Sequence, residues 1–243
     1  MGLLLNCDLG EATGGNQLAT EAQVMPHIDQ ANIACGFHAG NPQLMEQTLK
    51  LAKQHNVAVG AHPSYPDKFN FGRQSMNMTV PDLISCLNYQ ITRLENIARQ
   101  HAIDLAYVKP HGALYNDMMI NGHLRSAVMT AVANSSSSAL MLQATANHET
   151  HRQEAEMFGI KLIFEVFADR AYQDCGSLVP RKQSGAILKK QDMLAQVSQL
   201  SQQGSLTTIS GKQLKLEANS LCVHGDNPQA VSEIAQIRAI LEL

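Results

Sequence analysis

No stretch of the chain approaches the roughly 18 consecutive apolar residues that a membrane helix needs, which argues against a membrane partner. Charge of one sign is also missing. Lys and Arg number 18 against 21 Asp and Glu, for a formal net charge of -3. Without a basic field there is little to hold a polyanion, so the bulk balance argues against nucleic acid as a partner. The five cysteines, at 7, 35, 86, 175 and 222, are odd in number and form no CxxC pair. They read as small buried hydrophobes in a reducing compartment. A thiolate nucleophile at Cys35 or Cys175 is the sharper alternative. Met1 to Cys7 has neither the basic segment nor the cleavage site of a leader, so a cytoplasmic location is expected. HExxH, the zinc-finger spacings, the EF-hand pattern, GxGxxG and the Walker loop are all absent. Gly14-Gly15 does not make a phosphate loop on its own.

What is present is an ordinary globular composition, 44 % hydrophobic and 16 % charged over 243 residues, enough for one sizeable core. Apolar runs at Leu3–Cys7, Ala31–Cys35, Val57–Ala61, Leu105–Val108, Ala139–Leu142, Lys161–Phe164 and Ser220–Val223 read as strands. Covered on both faces, such strands need no polar side. Helices follow them. Asn41-Pro42 opens one that runs to about His55, with Leu44, Met45, Thr48, Leu49 and Ala52 as its packing face. Thr79 to Gln100 is a second, with Thr79 and Asp82 as a capping box and Leu83, Leu87, Ile91, Leu94 and Ala98 buried. Asp117–Ala133, Asn147–Met157, Gln191–Leu200 and a segment opened by Asn227-Pro228 complete the helical set. Leu206–Ile209 and Gln213–Leu216 suggest a β-hairpin. Ser64–Met78 reads as a loop over a site, and Phe167–Ser184 as a long loop that carries Asp169, Arg170 and Arg181.

About seven strand-then-helix units with no composition break predict one α/β domain, 1–243, built on parallel strands. The non-periodic polar residues sit just after strand ends: Asp8 and Glu11, His38, His62, Lys109 and His111, Glu165, then His224 and Asp226. Each alone has a bland reading as a turn, a packed histidine or a surface charge. Together they favour a closed barrel, which brings all its strand ends to one rim, over an open sheet. Arg170 and Arg181 sit in the second long loop as solvated charges or anion ligands. Asp8, His38 and His62 form a candidate two-His, one-carboxylate metal site.

Several blocks resemble the LamB/YcsF family: Asn6-Cys7-Asp8-Leu9-Gly10-Glu11, Ala31 to Gly40, Gly60-Ala61-His62-Pro63, and Val108-Lys109-Pro110-His111-Gly112. So do Glu165 to Arg170, Leu178-Val179-Pro180-Arg181, and Cys222-Val223-His224-Gly225-Asp226. They stand in family order across almost the whole chain. Departures are small: Asn41 replaces a family Asp, and Asn70-Phe71-Gly72-Arg73-Gln74 lacks a second basic residue. Glu11-Ala12-Thr13-Gly14-Gly15 differs beyond its glutamate.

The resemblance implies an irregular seven-stranded (β/α) barrel similar to that of sugar deacetylases. It also implies one component of a 5-oxoprolinase, acting with separate B and C subunits. Together these convert 5-oxo-L-proline, ATP (with Mg2+) and water to L-glutamate, ADP and phosphate. Catalytic candidates are then Asp8, Glu11, His38 and His62 for water and protons, with Lys109 and His111 opposite developing charge. Glu165, His224 and Asp226 would orient the ring and its nitrogen. Arg170 and Arg181 would bind carboxylate or phosphate. The chain is expected to be inactive without B and C. Two further readings are a metal-dependent deacetylase-like hydrolase and a non-catalytic substrate-binding subunit.

Overall fold

A strand, a polar turn, a capped helix start and an apolar helix face recur along the chain. In the computed structural model, which describes residues 2–11, 18–137 and 139–243, this rhythm closes seven parallel strands into a barrel. The first part runs β1 (Leu4–Leu9), α1 (Ala19–Val24), β2 (Gln30–Ala34), α2 (Pro42–Gln54), β3 (Ala58–His62) and α3 (Val80–Gln100). Then come β4 (Leu105–Val108), α4 (Gly112–Ile120), α5 (Gly122–Ala133), β5 (Ala139–Gln143), α6 (His148–Met157) and β6 (Lys161–Phe167). The last part holds α7 (Lys190–Gln203), β7 (Ser205–Thr207), β8 (Gln213–Lys215), β9 (Ser220–Val223), α8 (Pro228–Ser232) and α9 (Ile234–Leu241). β1 to β6 pair in sequence order, and β9 closes the circle between β6 and β1. The barrel is irregular, as the family resemblance implied: β4 and β5 meet through the single pairing Val108↔Leu140, and the β3–β4 register shifts at Gly60. β7 and β8 form the expected antiparallel hairpin, shorter than the apolar runs implied. No helix among the described residues is long and apolar enough to cross a membrane.

Local chemistry explains the helix starts. The Asn41 side chain accepts from the Leu44 N–H at 3.0 Å, and Pro42 takes the first helical position. Thr79 accepts from the Asp82 N–H and donates its hydroxyl to the Asp82 carboxylate. The expected helix over Asp117–Ala133 is instead two. Asn121 leaves helical geometry and caps α5 by accepting from the His123 and Leu124 N–H groups, so the break leaves few backbone groups unpaired. The last helix also divides, at Glu233. α1, of six residues, is too short to carry a readable period. The Gly14-Gly15 reading lies outside the described residues.

Alternation along each strand sorts the side chains into two layers. Leu5, Cys7, Ile33, Val59, Val166 and Leu221 face outward and join the helices in one apolar core. The inward set is polar: Asn6, Gln30, Asn32, Glu165 and Ser220 are all buried. Tyr107 crosses this interior and donates to Asn32 Oδ1 at 2.6 Å. It fits only because β3 offers Gly60 there, where a Cβ would stand 2.2 Å from the Tyr107 ring.

Candidate active site at the carboxyl ends of the strands

The inward layer continues upward into a charged one. Lys109, just past β4, places its ammonium 3.0 Å from Asp8 Oδ1 and 2.9 Å from Glu165 Oε2, with Asn6 Oδ1 and Cys222 Sγ each at 3.2 Å. Asn32 donates to both Asn6 and Asp8, and Asn6 donates to Glu165 and Ser220. A buried ammonium with two carboxylates and further acceptors is held charged by its partners. Burial opposes the charge, but Asp8, Cys222 and Glu165 lift the Lys109 pKa well above its ordinary value. Burial likewise opposes ionisation of Asp8, yet Lys109, His62 and His224 hold its carboxyl well below the usual range.

Beside this pair, Glu11, His38, His62 and His111 converge. Glu11 Oε1 lies 3.0 Å from His38 Nε2, 3.3 Å from His111 Nδ1 and 3.7 Å from His62 Nε2. Burial pushes the Glu11 carboxyl up to about 7, with Asp8 and Asp226 adding to the rise and His111 and Arg73 opposing it. Burial drives the imidazoles the other way, His38 to about 3, His111 to about 4 and His62 also down. Burial thus favours the neutral form of all three imidazoles. The loop after β3 lies on top of them: Gly72, at φ +65°, has no room for a Cβ between His38 and His111. Arg73, next in the loop, pairs with Asp226 across the mouth.

A cavity of about 630 Å³ opens between these groups and the loop after β6. Asp8, Glu11, His62, Lys109, His111, Arg170, Arg181, His224 and Asp226 line it. His38 and Glu165 do not. Glu165 lies inside β6, not after its end, and serves as a counter-ion beneath the cavity floor. Asp226 meets Arg73 at the rim instead of reaching the floor. The two arginines also separate. Arg170 donates to the carbonyls of Ala186 and Val179 and so ties the loop together, and burial and Arg181 pull it down to about 10, still cationic. Arg181, half-buried on the wall, has no hydrogen-bond or ion-pair partner among the described residues. The Tyr115 hydroxyl, on the same wall, also lacks a partner among them.

Three features escaped the sequence reading. Asp169 accepts from His224 Nδ1 at 2.8 Å and from Asn227 at 2.8 Å, and His224 stacks on Phe167, so its imidazole is fixed in place. Asn6 and Asn32 form the interior network; a polar residue inside an apolar strand must find a partner, and that was the available signal. Of the metal candidate Asp8, His38, His62, the Asp8 Oδ1 lies 3.6 Å from His62 Nε2, but a tighter donor group forms without it. Asp8 Oδ1 is engaged by Lys109 and Asn32, and the fourth donor beside Glu11, His38 and His62 is His111. Cys35 is buried, with its thiol pushed up to about 12 by that burial, which removes it as a thiolate nucleophile.

Closed barrel and strand-end pocket define an α/β-barrel protein with its candidate active site at the carboxyl rim. The LamB/YcsF family model matches residues 3–243. The chain is 46 % identical over 241 residues to the A subunit of 5-oxoprolinase from Pseudomonas fluorescens (strain Pf0-1), covering 98 % of this chain and 96 % of that protein. It is also 46 % identical over 239 residues to the corresponding A subunit from Vibrio cholerae (strain O395), covering 98 % and 97 %. The lactam utilization protein of Thermus thermophilus superposes with a TM-score of 0.88 at 32 % identity, over 100 % of this chain and 96 % of that one. The chain belongs to the LamB/YcsF family.

Proposed function

We propose that this chain is the A subunit of a 5-oxoprolinase. It opens the lactam ring of 5-oxo-L-proline to L-glutamate at the expense of ATP, in the cytoplasm and together with separate B and C subunits. The substrate is suggested by the relatives' names. The observation that carries the chemistry is the cavity floor, where the Lys109 ammonium, held between Asp8 and Glu165, stands beside the Glu11–imidazole corner.

A lactam carbonyl gains negative charge as water attacks, and the ring nitrogen needs a proton to leave. Lys109 is the cation for the developing oxyanion, and Asp8 and Glu165 keep it charged and in position. The Glu11, His38, His62 and His111 donors make the corner that binds and deprotonates the attacking water. His224, fixed by Asp169, delivers the proton to the departing nitrogen. Arg181, without a hydrogen-bond or ion-pair partner among the described residues, is the guanidinium for the ring carboxylate, a planar match. Arg73 and Asp226 latch the loop over the mouth. The cavity, at about 630 Å³, is several times the size of a five-membered lactam and leaves room for a second group.

The residues do not fit Mg2+–ATP as a complete site. The floor carboxylates are bound to Lys109, the other converging donors are mostly imidazoles, and hard Mg2+ takes oxygen. The nucleotide step is therefore assigned to the complex of all three subunits. Phe69, 97 % exposed in the loop after β3, suits a partner surface, whereas Tyr65 and Tyr172 are buried and pack their loops.

The test is an assay that follows glutamate and ADP together, with the chain alone and with B and C. Turnover only with all three supports the reading. Glutamate formed by the chain alone would overturn the need for partners, and no glutamate from the full set would overturn the substrate.

A further inference from the structure

We propose that Glu11, His38, His62 and His111 bind one divalent transition-metal ion of the zinc class at the wall of the cavity. Their donor atoms, one oxygen and three ring nitrogens, all lie within 4.8 Å of one another. Ligands about 2.1 Å from a tetrahedral ion stand about 3.4 Å apart. The separations here are 3.0 Å for Glu11–His38, 3.3 Å for Glu11–His111, 3.7 Å for Glu11–His62 and 2.9 Å for His62–His111. The set is already close to the size of an ion's coordination sphere.

Proton accounting points the same way. His62 Nδ1 lies 2.7 Å from the Lys109 carbonyl oxygen, and His111 Nε2 lies 2.9 Å from that of Phe71. A carbonyl can only accept, so each of those nitrogens carries its hydrogen. In the neutral rings the other two nitrogens, His62 Nε2 and His111 Nδ1, then bear lone pairs, and these face each other at 2.9 Å. A cation resolves that contact, either a proton shared by the two rings or a metal ion beside them, and the two further donors, Glu11 Oε1 and His38 Nε2, favour the metal. Backbone carbonyls holding the distal N–H groups are the outer partners that fix metal-ligating imidazoles in their productive tautomer. The imidazoles are deeply set: His38 and His62 are each 1 % exposed and His111 5 %.

The donor types select the ion. Three imidazoles and one carboxylate suit zinc and its neighbours in the first transition row, and not Mg2+ or Ca2+. The ion is therefore distinct from the magnesium that accompanies a nucleotide. The neighbouring group of Asp8, Cys222 and His224 is not an equivalent site, because the Lys109 ammonium already lies against Asp8 and Cys222. His38 stacks parallel to His111, with ring centroids 3.8 Å apart, and its Nε2 stands 3.0 Å from Glu11 Oε1 within the donor group. Four protein donors fill a tetrahedral ion, so a water on its cavity side would be a fifth ligand, and in that arrangement the ion would act as a Lewis acid and lower the pKa of that water. That role rests on the water-activating reading of this corner; the ion's presence rests only on the donors.

The experiment measures binding and not turnover. The chain is freed of metal with chelator, then titrated with Co2+ and with Zn2+, and its metal content is measured after gel filtration. The expected result is one tightly held ion per chain and a cobalt ligand-field spectrum of low coordination number. Glu11→Gln and His111→Ala should each weaken Zn2+ binding by at least about tenfold. His148→Ala, in the exposed His148, Glu149 and Glu217 cluster, should leave it unchanged. If His111→Ala does not fold, Glu11→Gln, which keeps the side chain's shape, decides. Failure of the wild-type chain to retain Co2+ or Zn2+, or retention undiminished in every folded ligand variant, would overturn the site without touching the substrate assignment.

Discussion

The same seven strands present two different cores. Outward, Leu5, Ile33, Val59, Val166 and their neighbours meet the helices in an apolar layer with no specific partners. Inward, Asn6, Asn32, Tyr107 and Glu165 form a hydrogen-bonded network that rises into the Asp8–Lys109 pair. The outer layer is stabilised by area removed from water and tolerates exchange of one hydrophobe for another. The inner one depends on every member finding its partner, and loss of one strands another in a dry interior. The fold thus rests on the outer layer, while the inner layer holds a cation beneath a pocket.

The contrast is broken most severely at Lys109. Lys109→Met keeps the length but leaves Asp8 and Glu165 without a counter-ion, and a loss of roughly 3–5 kcal/mol is expected in urea unfolding. A loss under about 1 kcal/mol would mean that the interior charges are not coupled.

The next effect is in pH. Asp169 is buried, and although burial opposes its ionisation, His224 and Asn227 lower its pKa from 3.8 to about 2. A depressed carboxyl contributes stability that is fully present above its unfolded value and is lost as pH falls through the folded one. The contribution is about 2 kcal/mol. Melting followed between about pH 5 and pH 2 should therefore show a loss that Asp169→Asn removes; an identical pH slope in the variant would contradict it.

In the apolar layer, Ile33→Val should cost about 1 kcal/mol, with no dependence on pH in the same range. A steeper cost at acid pH would erase the distinction between the two cores. The smallest effect belongs to the rim latch. Arg73 and Asp226 are partly exposed, and Arg73→Ala should change stability by less than about 1 kcal/mol, so its influence would appear in substrate KM.

The barrel was legible because apolar runs alternated with capped helices and because polar residues fell at strand ends. The packing face of α2 and the cap of α3 were read residue by residue. The α4–α5 break was not, since Asn121 sits in an otherwise helical pattern and acts only through its side chain. Most candidate site residues meet at the rim, yet their pairings were hidden. Glu165 and Asp226 both looked like residues that follow a strand, and only the length of β6 and the position of Arg73 separate a floor counter-ion from a rim contact. His111 as a fourth donor depended on a loop, Phe71–Gly72, whose path no periodicity encodes. Asn6 and Asn32 were masked by apolar neighbours that belong to the other face of the same strands.

The central claim is that the Lys109-centred floor of this pocket takes part in ring opening. It is tested most directly by the rate of glutamate formation with Asp8→Asn in place of the wild-type chain, B and C being present. Asn preserves the shape and leaves Glu165 to hold the ammonium, so folding survives while the charge that sets the floor is lost. The account predicts a fall of about a hundredfold or more in a variant that still folds, with a lowered unfolding midpoint because Lys109 has lost a buried partner. Turnover equal to that of the wild-type chain would contradict it and move the chemistry away from this rim.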